Sequence, residues 1–105
     1  MIYYFITKEE LAFALEEEEY FPDYFDDTGY ISCVSEKTVP AMIAELNTDQ
    51  EYVILKFDDQ LLESAVIYED IEDTGIMQPH VYGFLNMDAL IEAEEVERTK
   101  IKIPT

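Results

Sequence analysis

The sequence predicts an α+β domain: a small mixed β-sheet with two helices packed on it. Three observations predict it. Short apolar runs rich in aromatic and β-branched residues recur along the chain, and two stretches of helical spacing lie between the first three of them. Turn residues are few, three Gly and four Pro in 105 residues, so the connections are economical. No linker, internal repeat or low-complexity tract divides the chain, and residues 1–105 are read as one domain.

The elements follow in order. Ile2-Tyr3-Tyr4-Phe5-Ile6 is a short, continuously apolar run and predicts a buried strand. Thr7-Lys8-Glu9-Glu10 fits a capping box, with Thr7 as N-cap and Glu10 reaching back. The helix runs to about Glu18 with Leu11, Ala14 and Leu15 on its core face. Glu16 to Glu19 oppose the macrodipole at its C-terminal end, so it should end early. Tyr20-Phe21-Pro22 leads away from the helix, and Asp26-Asp27-Thr28-Gly29 is a turn. Tyr30 to Ser35 is a second strand. A second helix follows, capped by Ser35 or Thr38 with Pro40 in its first turn, its core face Met42, Ile43 and Leu46. Asn47-Thr48-Asp49 ends it.

Tyr52 to Phe57 is the strongest strand signal, apolar enough to suggest a central strand with both faces covered. Asp58 to Leu62 reads as one helical turn and Ala65 to Tyr68 as a strand. Gln78 to Phe84 is extended, Asn86-Met87-Asp88 is a turn, and Leu90 to Glu97 is a last strand or a helix. The tail Thr99 to Thr105 is read as partly ordered.

Charge narrows the function. Twenty-five Asp and Glu face six Lys and Arg, a net charge of −19. Phosphate binding is driven by Lys and Arg, so nucleic acid is not expected as a direct partner. An anionic membrane surface is disfavoured on the same ground. With 49% apolar residues, including eight Tyr and six Phe, the chain is not an acidic disordered tail. The lone Cys33 forms no internal disulfide, Ile2 to Ile6 is too short for a signal sequence, and no apolar stretch could span a bilayer, so a cytoplasmic protein is expected. Asp70-x-Glu72-Asp73-x-Gly75 is dense in acids but lacks calcium-loop spacing, so no metal site is expected.

Three segments carry a resemblance: Ile2 to Ile6 leading into a helix, Gly29-Tyr30-Ile31-Ser32-Cys33-Val34-Ser35, and Pro79-His80-Val81-Tyr82-Gly83 followed by Leu85-x-x-Asp88-Ala89. In order and spacing they resemble a bacterial family catalogued as domain of unknown function 952, over about residues 1–97. Pro-His-x-Tyr-Gly is the most specific part. The resemblance implies a relationship to ADP-ribosyltransferase-like folds, which bind NAD in the cleft of a split sheet. Glu69, His80, Tyr82 and Gly83 match that pattern. Two histidines of the pattern are replaced here by Tyr4 and Ser32. These can hydrogen-bond a ribose hydroxyl but cannot titrate near neutral pH as His does.

The implied site has Glu69 and His80 as catalytic candidates and Tyr4, Ser32, Ser35 and Tyr82 as binders of an NAD-type cofactor. A fixed carboxylate such as Glu69 can stabilise the oxocarbenium-like charge that develops when a glycosidic bond to nicotinamide breaks. His80 can orient a ligand or move a proton. Ser32 and Ser35 are read as lying on one strand and lining one cleft, Cys33 as pointing into the core. Against each stands a plainer reading: Glu69 as one more solvated acid, His80 as a strand residue bonded to a neighbour, the tyrosines as packing residues, Ser35 as a helix cap. A pyrophosphate would need Lys8 or Lys37, because Arg98 is the sole Arg and no Gly-rich phosphate loop exists. The competing class is an acidic interaction module. Acids at 16–27 and 45–73 would attract a basic protein partner, or mimic the charge of nucleic acid to occupy a protein that binds it.

Overall fold

The computed structural model describes residues 1–46 and 49–96. The elements are β1 (Ile2–Thr7), α1 (Lys8–Glu17), β2 (Glu19–Tyr20), α2 (Phe25–Thr28), β3 (Ile31–Ser32), a 3-10 turn (Glu36–Thr38), α3 (Val39–Glu45), β4 (Tyr52–Phe57), β5 (Ala65–Glu69), β6 (Gln78–Tyr82), β7 (Leu85–Asn86), a 3-10 turn (Met87–Ala89) and β8 (Leu90–Glu95). The α+β class stands. The single mixed sheet does not. Among the described residues the strands form three small sheets, β1-β4-β8, β2-β7 and β3-β6-β5, and every pairing is antiparallel.

β1 joins two of the sheets. One edge pairs with β4 from Ile2↔Phe57 to Thr7↔Tyr52. On its other edge Tyr3 exchanges two backbone hydrogen bonds of 2.9 Å with Val34. Alternation does the rest: Ile2, Tyr4 and Ile6 face the core with Val53, Leu55 and Phe57 of β4, and Ala14 of α1 closes over them. The central place expected for β4 holds, although its Tyr52, Ile54 and Lys56 face is only half-buried.

Thr7 caps α1 as expected, its Oγ1 accepting the Glu10 N–H at 3.2 Å. The helix stops at Glu17, and Glu18 closes it in the left-handed region at φ 68°. Leu11 is half-buried, but Leu15 is exposed, so the core face is narrower than the spacing suggested. The Asp26–Gly29 turn belongs to the four-residue α2, closed by Gly29 at φ 81°. The strand expected over Tyr30–Ser35 shrinks to Ile31–Ser32, because Val34 turns away to pair with Tyr3. Cys33 is buried as expected, and its N–H donates to Pro79 O at 3.1 Å.

α3 has Pro40 in its first turn, but neither Ser35 nor Thr38 caps it through a side chain. Met42, Ile43 and Leu46 are half-buried. Asp58–Leu61 forms a hydrogen-bonded turn, Leu61 N–H to Asp58 O at 2.9 Å. The last element is a strand, not a helix, pairing with β4 from Val53↔Glu95 to Phe57↔Leu90. The helix end at Asn47-Thr48 and the tail Thr99–Thr105 lie outside the described residues. Among the described residues no helix is long and apolar enough to cross a membrane.

Two substitutions test this packing. A Cβ on Gly83 would meet Ser64 Oγ and would lie 2.8 Å from Ser64 Cβ. Gly83→Ala should therefore lower stability by ~1–3 kcal/mol. Adding Ser64→Gly should recover much of that loss in a thermal melt, less what is forfeited with the Ser64 Oγ bond to Phe84 O. Glu18→Gly should raise stability by about 1 kcal/mol, because it relieves a left-handed non-glycine residue and removes a carboxylate from a helix C-terminus. Its melting temperature should rise by a few degrees.

Candidate functional site

The β3-β6-β5 sheet presents two chemically different faces. Its registers pair Ser32 with His80 and Ile67 with His80, Glu69 with Gln78, and Ile31 with Val81. Directly paired residues share a face, as do residues two apart. Ile31, Pro79 and Val81 are therefore directed into the core, and they are buried. Tyr30, Ser32, Gln78, His80, Tyr82 and Glu69 share the opposite face, with Ala65 and Ile67 of β5 beside them.

On that face three sequence-predicted residues meet at one atom. Glu69 Oε2 lies 3.0 Å from His80 Nδ1 and also accepts the Tyr82 hydroxyl proton in a short hydrogen bond. The His80 side chain is 9% exposed and that of Glu69 28%, so a nearly buried imidazole is held by a partly solvated carboxylate. Bonding to Tyr82, and then to His80, holds the Glu69 carboxyl below its usual range. The same carboxylate pushes the Tyr82 phenol up to about 12. His80 Nε2 makes no hydrogen bond among the described residues.

Tyr30 completes the cluster and was not singled out by its sequence. Its ring stacks on His80 with centroids 4.3 Å apart and planes at 27°, and lies 5.5 Å from the Tyr82 ring. Its position two residues before Ser32, on the strand that pairs with His80, is the signal that could have found it.

The other three predicted residues do not join the triad. Tyr4 is buried on the core side of β1, its hydroxyl interacting with those of Tyr20 and Tyr24, and burial pushes its pKa far up. Ser32 donates its N–H to Tyr24 Oη at 3.0 Å. Tyr4 and Ser32 do line one concavity of about 340 Å³, with Tyr24, Thr28 and Met42 among its other walls. Ser32 thus borders both this hollow and His80. Ser35 lies beyond the strand and three positions from Ser32, an odd spacing that alternation assigns to opposite faces, so the shared cleft face expected for the two is not formed. Its N–H donates to Gln78 Oε1 at 3.2 Å, and its Oγ is 3.4 Å from Thr38 Oγ1. Lys8 is engaged by Glu51 and Glu95, each at 3.1 Å. Among the described residues no group of His, Cys, Asp and Glu could hold a metal ion.

The fold and face together define a small antiparallel α+β protein with a Glu-His-Tyr cluster on one sheet. The chain belongs to the family described as "Protein of unknown function (DUF952)", which it matches over residues 5–93. Its fold is similar to the crystal structure of protein CC0527 from Caulobacter crescentus, with a TM-score of 0.79 at 18% identity, covering 90% of this chain and 83% of that one. A double-methionine variant of that protein gives a TM-score of 0.78 at 17% identity, with the same coverage. A comparison with curated proteins finds no match.

The cluster makes a direct prediction. In Glu69→Gln the full carboxylate charge beside Tyr82 is gone, so the Tyr82 pKa should fall from about 12 towards the ordinary phenol value of about 10. Difference absorbance of phenolate against Tyr82→Phe isolates this one tyrosine from the other seven. The raised Tyr82 pKa stabilises the fold below the unfolded phenol pKa, and that contribution is lost as pH rises through the folded value. The depressed Glu69 pKa has the opposite sense: its contribution is present above the unfolded carboxyl pKa and lost as pH falls through the folded value.

Proposed function

We propose that the polar face of the β3-β6-β5 sheet is a divergent NAD-type ligand site that binds the nicotinamide–ribose end of its ligand and has lost transfer chemistry. The observation that carries the reading is the sharing of Glu69 Oε2 by His80 and Tyr82 beneath the Tyr30 ring. A carboxylate kept ionised by two partners suits a cationic ligand group, and exposed aromatic faces add to that preference. Oxidised nicotinamide is a planar cation. The net charge of −19, which repels a pyrophosphate, attracts that ring. Ser32 and the adjoining hollow offer hydroxyls of the kind that bond a ribose.

The ADP-ribosyltransferase-like relationship implied by the sequence adds support for the ligand class and, through its departures, for the loss of turnover. Tyr4 stands where that pattern has a His, and its hydroxyl is occupied within the protein. Ser32 stands at the second such position and holds no titratable group near neutral pH. Glu69 and His80 then position and neutralise the ligand rather than drive group transfer.

Millimolar NAD should raise the melting temperature by several degrees, since ligand at a hundred times its Kd stabilises by about 2.7 kcal/mol. NADH, whose nicotinamide ring is uncharged, should raise it less. Glu69→Gln should abolish the difference between the two, and no nicotinamide should be released from NAD. The absence of any shift with NAD, or an equal shift with NADH, overturns the reading.

A further inference from the structure

The β5 edge carries an inference that does not rest on the ligand reading, although β5 ends in Glu69 and its Ile67 pairs with His80. β5 pairs with β6 on one side, and among the described residues its other edge has no strand partner. Free edges are ordinarily guarded by charge, Pro or a bulge. The other long free edge is: β8 reads Leu-Ile-Glu-Ala-Glu-Glu, three carboxylates in six residues. β5 reads Ala-Val-Ile-Tyr-Glu and has no charge until its last residue. Ile67 and Tyr68 on this strand are each 47% exposed, and Ile71, Ile76 and Met77 in the connection that follows are more exposed still. Interspersed with them are Glu69, Asp70, Glu72 and Asp73, with no Lys or Arg from residue 67 to residue 77.

We propose that the β5 edge is a docking site for an extended segment of a basic protein, in which Lys or Arg alternates with β-branched residues. Such a segment would add as a strand to β5, its backbone satisfying the open edge. One of its faces would meet Ile67, and its cations would meet the carboxylates of the following loop. Charge chooses this occupant over a second copy of the chain. Pairing two β5 edges would bring two copies of the 67–77 acid cluster together in molecules that each carry a net charge of −19.

The probe is a synthetic peptide of alternating Lys and Val, about eight residues long, with an alternating Glu and Val peptide as control. With the full chain at low salt, the Lys peptide should bind and slow amide exchange at residues 65–69, leaving β8 unchanged. The Glu peptide should not bind. Ile67→Lys places a guard on an exposed position of the edge and should weaken binding roughly tenfold without lowering the melting temperature. Glu72→Lys with Asp73→Lys should weaken it further and flatten its salt dependence. Unchanged binding to Ile67→Lys, or protection spread away from β5, would reduce the interaction to general charge attraction and overturn the proposal. A concentration-dependent dimer abolished by Ile67→Lys would assign the edge to a second copy. That result would also overturn the proposal.

Discussion

The register of β6 is the constraint on which the site depends. Pro79 and Val81 lie in the core, and the intervening His80 and the next residue, Tyr82, therefore face the opposite way. A slip of one residue would send His80 and Tyr82 inward and bring Pro79 and Val81 out, so burial of two apolar side chains specifies the placement of two polar ones in the candidate site. β3 and β5 hold this register from both sides, and each contributes to the cluster: Tyr30 and Ser32 from the β3 segment, Glu69 from the end of β5.

The same reasoning separates the legible parts of the sequence from the rest. β1, β4 and the start of α1 were readable because each carries a long local signal, an apolar run of five or six residues or a side-chain cap. The triad is legible only through the family resemblance, because the burial of neither β5 nor β6 alternates regularly and Glu69 reads as the start of a loop. β2 and β7 were not readable, because two residues are too few for any periodicity. The second strand was overextended because Val34 is apolar and β-branched whichever strand it pairs with; its partner is Tyr3, a choice made by tertiary packing. Ser35 does not join Ser32 because the two are three positions apart, an odd spacing that puts side chains on opposite faces even of an unbroken strand. Tyr30 is hidden among eight tyrosines, and only the stacking of its ring on His80 distinguishes it.

The distribution of charge follows a similar logic. Few cations are available, and Lys8, at the start of α1, is spent on Glu51 just before β4 and on Glu95 at the end of β8. The Glu69 cluster is therefore built without a Lys or Arg. Its carboxylate is satisfied instead by a phenol and an imidazole, neutral or weakly basic donors that leave the face receptive to positive charge. The acidic surface and the polar sheet face thus carry charge of the same sign.

Cys33 gives this arrangement a consequence for its motions. It is the lone thiol of the chain, it is 1% exposed, burial raises its pKa, and its backbone N–H is tied to Pro79, one residue before His80. A thiol-specific reagent can reach it only when the β3 segment parts from β6. The rate of labelling is then a stopwatch for the breathing of the sheet that carries the cluster, and anything clamping that sheet shut would slow the clock.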